Sequence, residues 1–167
     1  ALSQPSVVNP LRASQFFHAL AASNGTGIVT PTAFNEFIHA AIRIKYQHER
    51  ARLGPTAQLI YGRPVNNWLD LYKQDATILQ AFGTHLRSFG PLLIANDSLF
   101  VSPDELGPIA SGRTFDEELV HLVSRYGLDS NDALILMEAQ RCGVTDVVTL
   151  DADIQRAQAD FDVYTWI

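Results

Sequence analysis

The stretch that most constrains this chain is Gly127-Leu-Asp-Ser-Asn-Asp-Ala-Leu-Ile-Leu-Met-Glu-Ala-Gln-Arg-Cys-Gly-Val-Thr-Asp-Val-Val-Thr-Leu-Asp-Ala-Asp153. A polar start at Ser130, Asn131 and Asp132 opens a run from Ala133 to Ala139 that is apolar almost all round, the pattern of a buried helix. Arg141 falls in its last turn and Gly143 just beyond, suiting the helix dipole and a left-handed cap. Asp146-Val-Val-Thr-Leu150 is short and β-branched, and predicts a strand that stops at Asp151-Ala-Asp153. A helix of about ten residues rises about 15 Å, and a strand of about five covers a similar length. Joined by a short turn, the two return to the level where they began. Asp132 and Asp151 are therefore expected on one edge of a sheet, the edge where open α/β folds bind ligands.

Upstream, the pattern alternates helices with short strands. Asn9-Pro10 predicts a helix start, and Leu11, Phe16, Phe17 and Leu20 form its apolar face. Ile28-Val-Thr30 predicts a strand, and Pro31-Thr32 the start of an amphipathic helix reaching about Arg50. Phe34, Phe37, Ile38, Ala41 and Ile44 take one side of it, and Glu36, His39, Arg43, Gln47 and Arg50 the other. Glu36 then joins the acids of the sheet edge if the strands are parallel. Gly25-Thr-Gly27 precedes its strand and has no third glycine, so it is not a dinucleotide loop.

Gly54-Pro55 and Gly62-Arg-Pro64 are turn signals. From Trp68 to Phe89, apolar and aromatic residues recur at helical spacing, predicting one long helix or two with a break near Gly83. Its stripe suits a core or a homodimer face. Leu92-Leu-Ile94 and Ser98-Leu-Phe-Val101 read as strands about an Asn96-Asp97 turn, and Thr114-Phe-Asp-Glu117 as a capping box. The helix after it should turn Phe115, Leu119, Leu122, Val123 and Tyr126 inward, and Phe161 to Trp166 predicts a last strand. With 167 residues, 47% apolar, the expectation is a single α/β domain, a parallel sheet flanked by helices.

Eighteen acidic and twelve basic residues give a net charge near −6, which argues against gripping nucleic acid by charge alone. Phosphate brought in through a metal remains compatible with it. Arg43, Lys45, Arg50, Arg52 and Arg63 gather five of the basic residues, either as a solvated face or as a phosphate-backbone contact. The lone Cys142 excludes an internal disulfide and fits a reducing, cytoplasmic setting. No apolar run approaches a membrane span, and Ala1-Leu-Ser-Gln-Pro does not read as a signal peptide. The histidines lack metal-ligand spacing, and neither a phosphate loop nor a nucleophile elbow occurs.

Crowded carboxylates raise one another's pKa unless a cation neutralises them. An all-oxygen set suits Mg²⁺ or Mn²⁺, which polarise a phosphodiester and activate water. Each acid also has an ordinary explanation: Asp132 as a helix-start residue, Asp151 as a turn former, Glu36 as a solvated one.

Asp132-Ala-Leu-Ile, Gly143-Val and Val147-Val-Thr-Leu-Asp151-Ala-Asp153 together resemble the C-terminal signature of PIN domains, metal-dependent ribonucleases that include toxins of toxin–antitoxin pairs. Ile28-Val-Thr-Pro with Phe34-Asn-Glu36-Phe resembles the family's second acidic segment. The resemblance implies a PIN-like, Rossmann-like three-layer α/β/α fold. It also implies an RNA substrate, an antitoxin partner, Glu36, Asp132 and Asp151 as metal-binding catalytic acids, and Asp153 as a neighbouring or substitute ligand. Thr149 matches the hydroxyl residue before the last acid, and Arg43 would steady the RNA backbone. The family's opening strand, which ends in an Asp, has no counterpart here, so the expectation is a domain lacking that strand at its N-terminus. Two other readings accompany this one: a non-catalytic PIN-like module binding RNA or protein, and a phosphatase-like α/β hydrolase on the same acidic edge.

Overall fold

The structure, a computed structural model, describes residues 10–165, with side chains from residue 15 onward. The described residues form two compact units, one of residues 10–32 and 93–165 and the other of residues 33–92. In chain order its regular elements are α1 (Pro10–Ala22), β1 (Gly27–Val29), α2 (Pro31–Leu53), α3 (Thr56–Tyr61), α4 (Trp68–Gln74), α5 (Thr77–Arg87), α6 (Phe89–Ile94), β2 (Ser98–Phe100), α7 (Phe115–Tyr126), α8 (Ser130–Arg141), β3 (Asp146–Val148) and β4 (Asp162–Tyr164). Short 3₁₀ turns at Pro103–Glu105 and Ile154–Ala157 complete the set.

The expected three-layer sheet does not form. Most of the described residues are helical, and the strands among them pair in parallel as two separate two-stranded ribbons, β1 with β2 and β3 with β4. Each strand is three residues long. The β-branched run that suggested a strand to Leu150 leaves the ladder after Val148, where Thr149 and Asp151 enter a side-chain-supported turn. Leu92-Leu-Ile94, read as strand, closes helix α6. Among the described residues there is no continuous sheet and so no common carboxyl edge of the Rossmann kind.

In the first unit the core gathers on α8. Ala133, Leu136 and Met137 are buried with Leu122 and Tyr126 of α7, Val147 of β3, and Ile154, Ala157 and Phe161 of the last segment. The all-round apolar run is thus an interior helix, as its composition dictates. Gly143 takes φ +70° just after it, the left-handed conformation expected of that glycine. The Thr114–Glu117 capping box forms and opens α7. Phe115 nevertheless faces out, 51% exposed, because the inward stripe of α7 runs through Glu118, Leu122 and Tyr126.

In the second unit the one long helix, or two broken near Gly83, expected from Trp68 onward is instead α4, α5 and the start of α6, broken at Asp75–Ala76 and at Ser88, with Gly83 within α5. Asn67 caps α4 and forms a capping box with Asp70. Asp75 ends α4 by accepting from both the backbone and the hydroxyl of Thr77. Tyr46 of α2 is fully buried, its hydroxyl donating to the Asp75 carbonyl at 2.8 Å, while the Tyr61 hydroxyl donates to the Asp75 carboxylate at 2.6 Å. Aromatic edges complete the packing, Tyr46 against Tyr72 at 5.4 Å and Phe37 against Phe89 at 4.6 Å. No helix among the described residues is long and apolar enough to cross a membrane.

Candidate functional site

Two of the predicted acidic segments lie in the first unit. Asp129 caps α8, its carboxylate accepting from the N–H groups of Asn131 at 2.9 Å and Asp132 at 3.0 Å. This satisfies donors that a helix start leaves open. Asp132 follows in the first turn, half-buried. At the other end of the motif, the Asp151 N–H donates to the Thr149 hydroxyl at 2.9 Å, and the Asp153 N–H donates to the Asp151 carboxylate at 2.8 Å. Such local bonds build a tight turn from Thr and Asp side chains.

Arg156 fastens the two segments. It pairs with Asp153 at 2.7 Å and donates to the Gly127 carbonyl at 2.6 Å, on the connection that leads into α8. Asp151 and Asp153 are thus hydrogen-bonded neighbours at the end of β3, and Arg156 holds their turn against the approach to Asp132. Both turn acids are exposed. Beside them, the Tyr126 hydroxyl donates to Asp160, which also pairs with Arg125 at 2.6 Å. Burial, then the Asp160 hydrogen bond, push the Tyr126 phenol up to about 12.

Glu36 and Arg43 lie in the part of α2 that belongs to the second unit, Glu36 half-buried and Arg43 exposed. Farther along α2, Glu49 pairs with Lys45 and Arg52, each at 2.7 Å, which holds its carboxyl below the usual range. Lys45 and Arg52, two of the five clustered basic residues, are therefore engaged within their own helix. The donor chemistry of Glu36, Asp132, Asp151 and Asp153 is all carboxylate and suits Mg²⁺ or Mn²⁺ in kind. Among the described residues, no three Asp, Glu, His or Cys side chains form a group that could hold an ion.

Two buried acids escaped the sequence reading. Glu138 of α8 is 7% exposed and accepts from Thr32, by its N–H at 2.9 Å and by its hydroxyl at 2.7 Å. Glu118 of α7 is 4% exposed; its Oε2 accepts from the Ser111 hydroxyl at 2.6 Å and from Arg113 at 2.9 Å. Burial works to raise the Glu118 carboxyl. Ser111, Arg113 and the charge of His121 outweigh it, leaving the group below its ordinary value and ionised at neutral pH. Phase gave the missing signal for Glu118, which stands four residues before Leu122 and eight before Tyr126 on one helix face.

Next to Glu118 is a cavity of about 310 Å³ between the loop of residues 109–111, α7, the C-terminal half of α8 and residues 143–145. Its outer loop is pinned to α8 by reciprocal bonds. The Gly107 N–H donates to the Arg141 carbonyl at 3.1 Å, and Arg141 Nε donates to the Gly107 carbonyl at 2.6 Å. A Cβ on Gly107 would stand 2.7 Å from that Arg141 carbonyl oxygen, so the approach requires glycine. At the end of α8, burial and then the charge of Glu138 push the Cys142 thiol up.

Compared with protein-family models, curated proteins and solved structures, the chain matches none.

Proposed function

We propose that this chain is a Mg²⁺- or Mn²⁺-dependent ribonuclease of the PIN type, acting where α8 begins and β3 ends. One observation carries the reading. Arg156 pairs with Asp153 and donates to the Gly127 carbonyl, so the Asp151–Asp153 turn is fastened to the segment that leads into α8, the helix that carries Asp132. The resemblance assigns Glu36, Asp132 and Asp151 to the reaction, and Asp153 stands next to Asp151 in its turn. Carboxylates of this kind select hard divalent ions. Thr149 supports the site by holding the turn through its hydroxyl, which accepts the Asp151 N–H. Exposed Arg43 is assigned to the RNA backbone. An antitoxin partner and a cytoplasmic setting belong to the same reading.

The test is incubation of the full chain with single-stranded RNA in Mg²⁺ or Mn²⁺, with a chelator arm and an Asp132→Asn arm. Cleavage that both arms abolish supports the proposal, and intact RNA under every condition ends it.

A second reading, a non-catalytic module for RNA, draws support from the same side chains. Asp129 caps a helix, Asp151 accepts within its turn and Asp153 is paired with Arg156, so these carboxylates already perform structural tasks. Retention of RNA without cleavage, unaffected by chelator, selects it.

A further inference from the structure

We propose that the cavity beside Glu118 is a binding site for a small organic molecule that presents an N–H donor, an amide or an amidinium, on an apolar body. This site is separate from the ribonuclease reading, since Glu36, Asp132 and Asp151 are not among its lining residues.

The first support is an unspent acceptor. Glu118 lines the cavity and is 4% exposed, and both of its protein partners bind the same oxygen, Oε2. Oε1 receives no hydrogen bond among the described residues. An ionised carboxylate is an acceptor only, with about four lone-pair sites, so Oε1 can still accept from a donor. A ligand N–H would fill that vacancy in the hydrogen bonding.

The second support is the wall. Ile109, Ala110, Met137 and Val144 supply an apolar lining, and Gln140 and Thr145 add polar groups. Few polar groups in an apolar hollow is the composition of small-molecule sites, and about 310 Å³ lies at the lower end of their range of roughly 300–1,000 Å³. One ring with one polar substituent is the scale of occupant that fits.

The third support concerns charge. Arg141 also lines the cavity, but its guanidinium donates to the carbonyls of Leu106 and Gly107. Arg113 is held by Glu118 itself. The donors of these neighbouring cations are already used, so the acceptor-only carboxylate favours a ligand donor over a second carboxylate.

The chain contains one methionine, Met137, which lines the cavity and is 1% exposed, so its methyl group is a single built-in reporter. The test is a titration of the full, isotope-labelled chain with benzamide, benzamidinium and benzoate, read from the Met137 methyl and the Ser111 and Thr145 amide resonances. Saturable shifts with the two N–H probes in the millimolar range are expected, with benzoate about tenfold weaker or more. Glu118→Gln, if folded, should weaken benzamidinium by about tenfold. The proposal is overturned if the N–H probes give no saturable shift, if the shifts lie away from these residues, or if benzoate binds as well. Should the variant not fold, the ranking of the three probes on the unaltered chain decides alone.

Discussion

Glu138 and Thr32, 106 positions apart, meet through two hydrogen bonds at the start of α2: the Thr32 N–H reaches one carboxylate oxygen at 2.9 Å and its hydroxyl the other at 2.7 Å. A carboxylate at a helix N-terminus satisfies an open N–H and opposes the positive end of the dipole. Helix caps are ordinarily local in sequence; this one is delivered by the interior of α8.

Glu138→Ala should therefore destabilise the chain by about 2–3 kcal/mol, because it leaves the Thr32 donors without their acceptor. Thr32→Val should cost less, as only the hydroxyl bond is lost. Urea denaturation of both variants and of their combination checks this. The double variant should be less destabilised than the sum of the two, and strict additivity would refute the coupling.

Alkaline pH should loosen both units. Tyr61 and Tyr126 have phenols pushed from 10.0 up to about 12, Tyr61 first by its hydrogen bond to Asp75 and Tyr126 first by burial. The folded state thus favours the protonated phenols. Their contribution is complete below about pH 10 and is lost as the pH rises through about 12. Tyrosinate ultraviolet absorbance should show Tyr61 and Tyr126 among the late-titrating phenols, and Tyr61→Phe should remove one of them.

At the acid end the sign reverses. The Thr77 hydroxyl, followed by Tyr61, holds the Asp75 carboxyl below its ordinary 3.8. Its contribution is present above that value and lost as the pH falls through the lower folded one. Asp75→Asn should flatten the acid limb of a stability–pH curve, and an unchanged limb would count against the assignment.

Gly107→Ala should destabilise by about 1–3 kcal/mol, since the new methyl would meet a backbone carbonyl that cannot rotate away. Thermal unfolding measures the loss. Because the same contact pins the outer wall of the cavity, the Met137 methyl resonance should move as well.

Among the acids of the proposed nuclease, Asp153→Asn separates support from stability. Its pair with Arg156 is half-exposed on both sides, so its loss should cost less than about 1 kcal/mol. In Asp132→Asn, RNA cleavage should fall to background. Loss of fold in parallel with loss of cleavage would assign Asp132 to structure instead.

Residues 127–148 were legible because one cause dominates there. An interior helix must be apolar on every side, and the polar Ser130–Asp132 and Gly143 mark its ends. The second unit was harder, since the apolar period runs unbroken through Asp75 and Ser88 while the helix does not. The break at Asp75 comes from three hydroxyl groups converging there, those of Thr77, Tyr61 and Tyr46, of which the tyrosines arrive from distant positions. Leu92-Leu-Ile94 shows the limit of propensity, since a short apolar run fits a helix end as well as a strand. Glu118 and Glu138 were hidden for a different reason. Acids are read as solvated by default, and their burial depends on partners, Arg113 and Thr32, that spacing does not announce.

The position of Cys142 has a practical outcome. Thiolates, not thiols, attack alkylating reagents and other sulfurs, and this group is kept protonated by its surroundings and by the nearby Glu138 charge. Air-exposed solutions of the protein should therefore accumulate disulfide-linked pairs only slowly, and a maleimide dye should label it sluggishly until the interior around α8 opens.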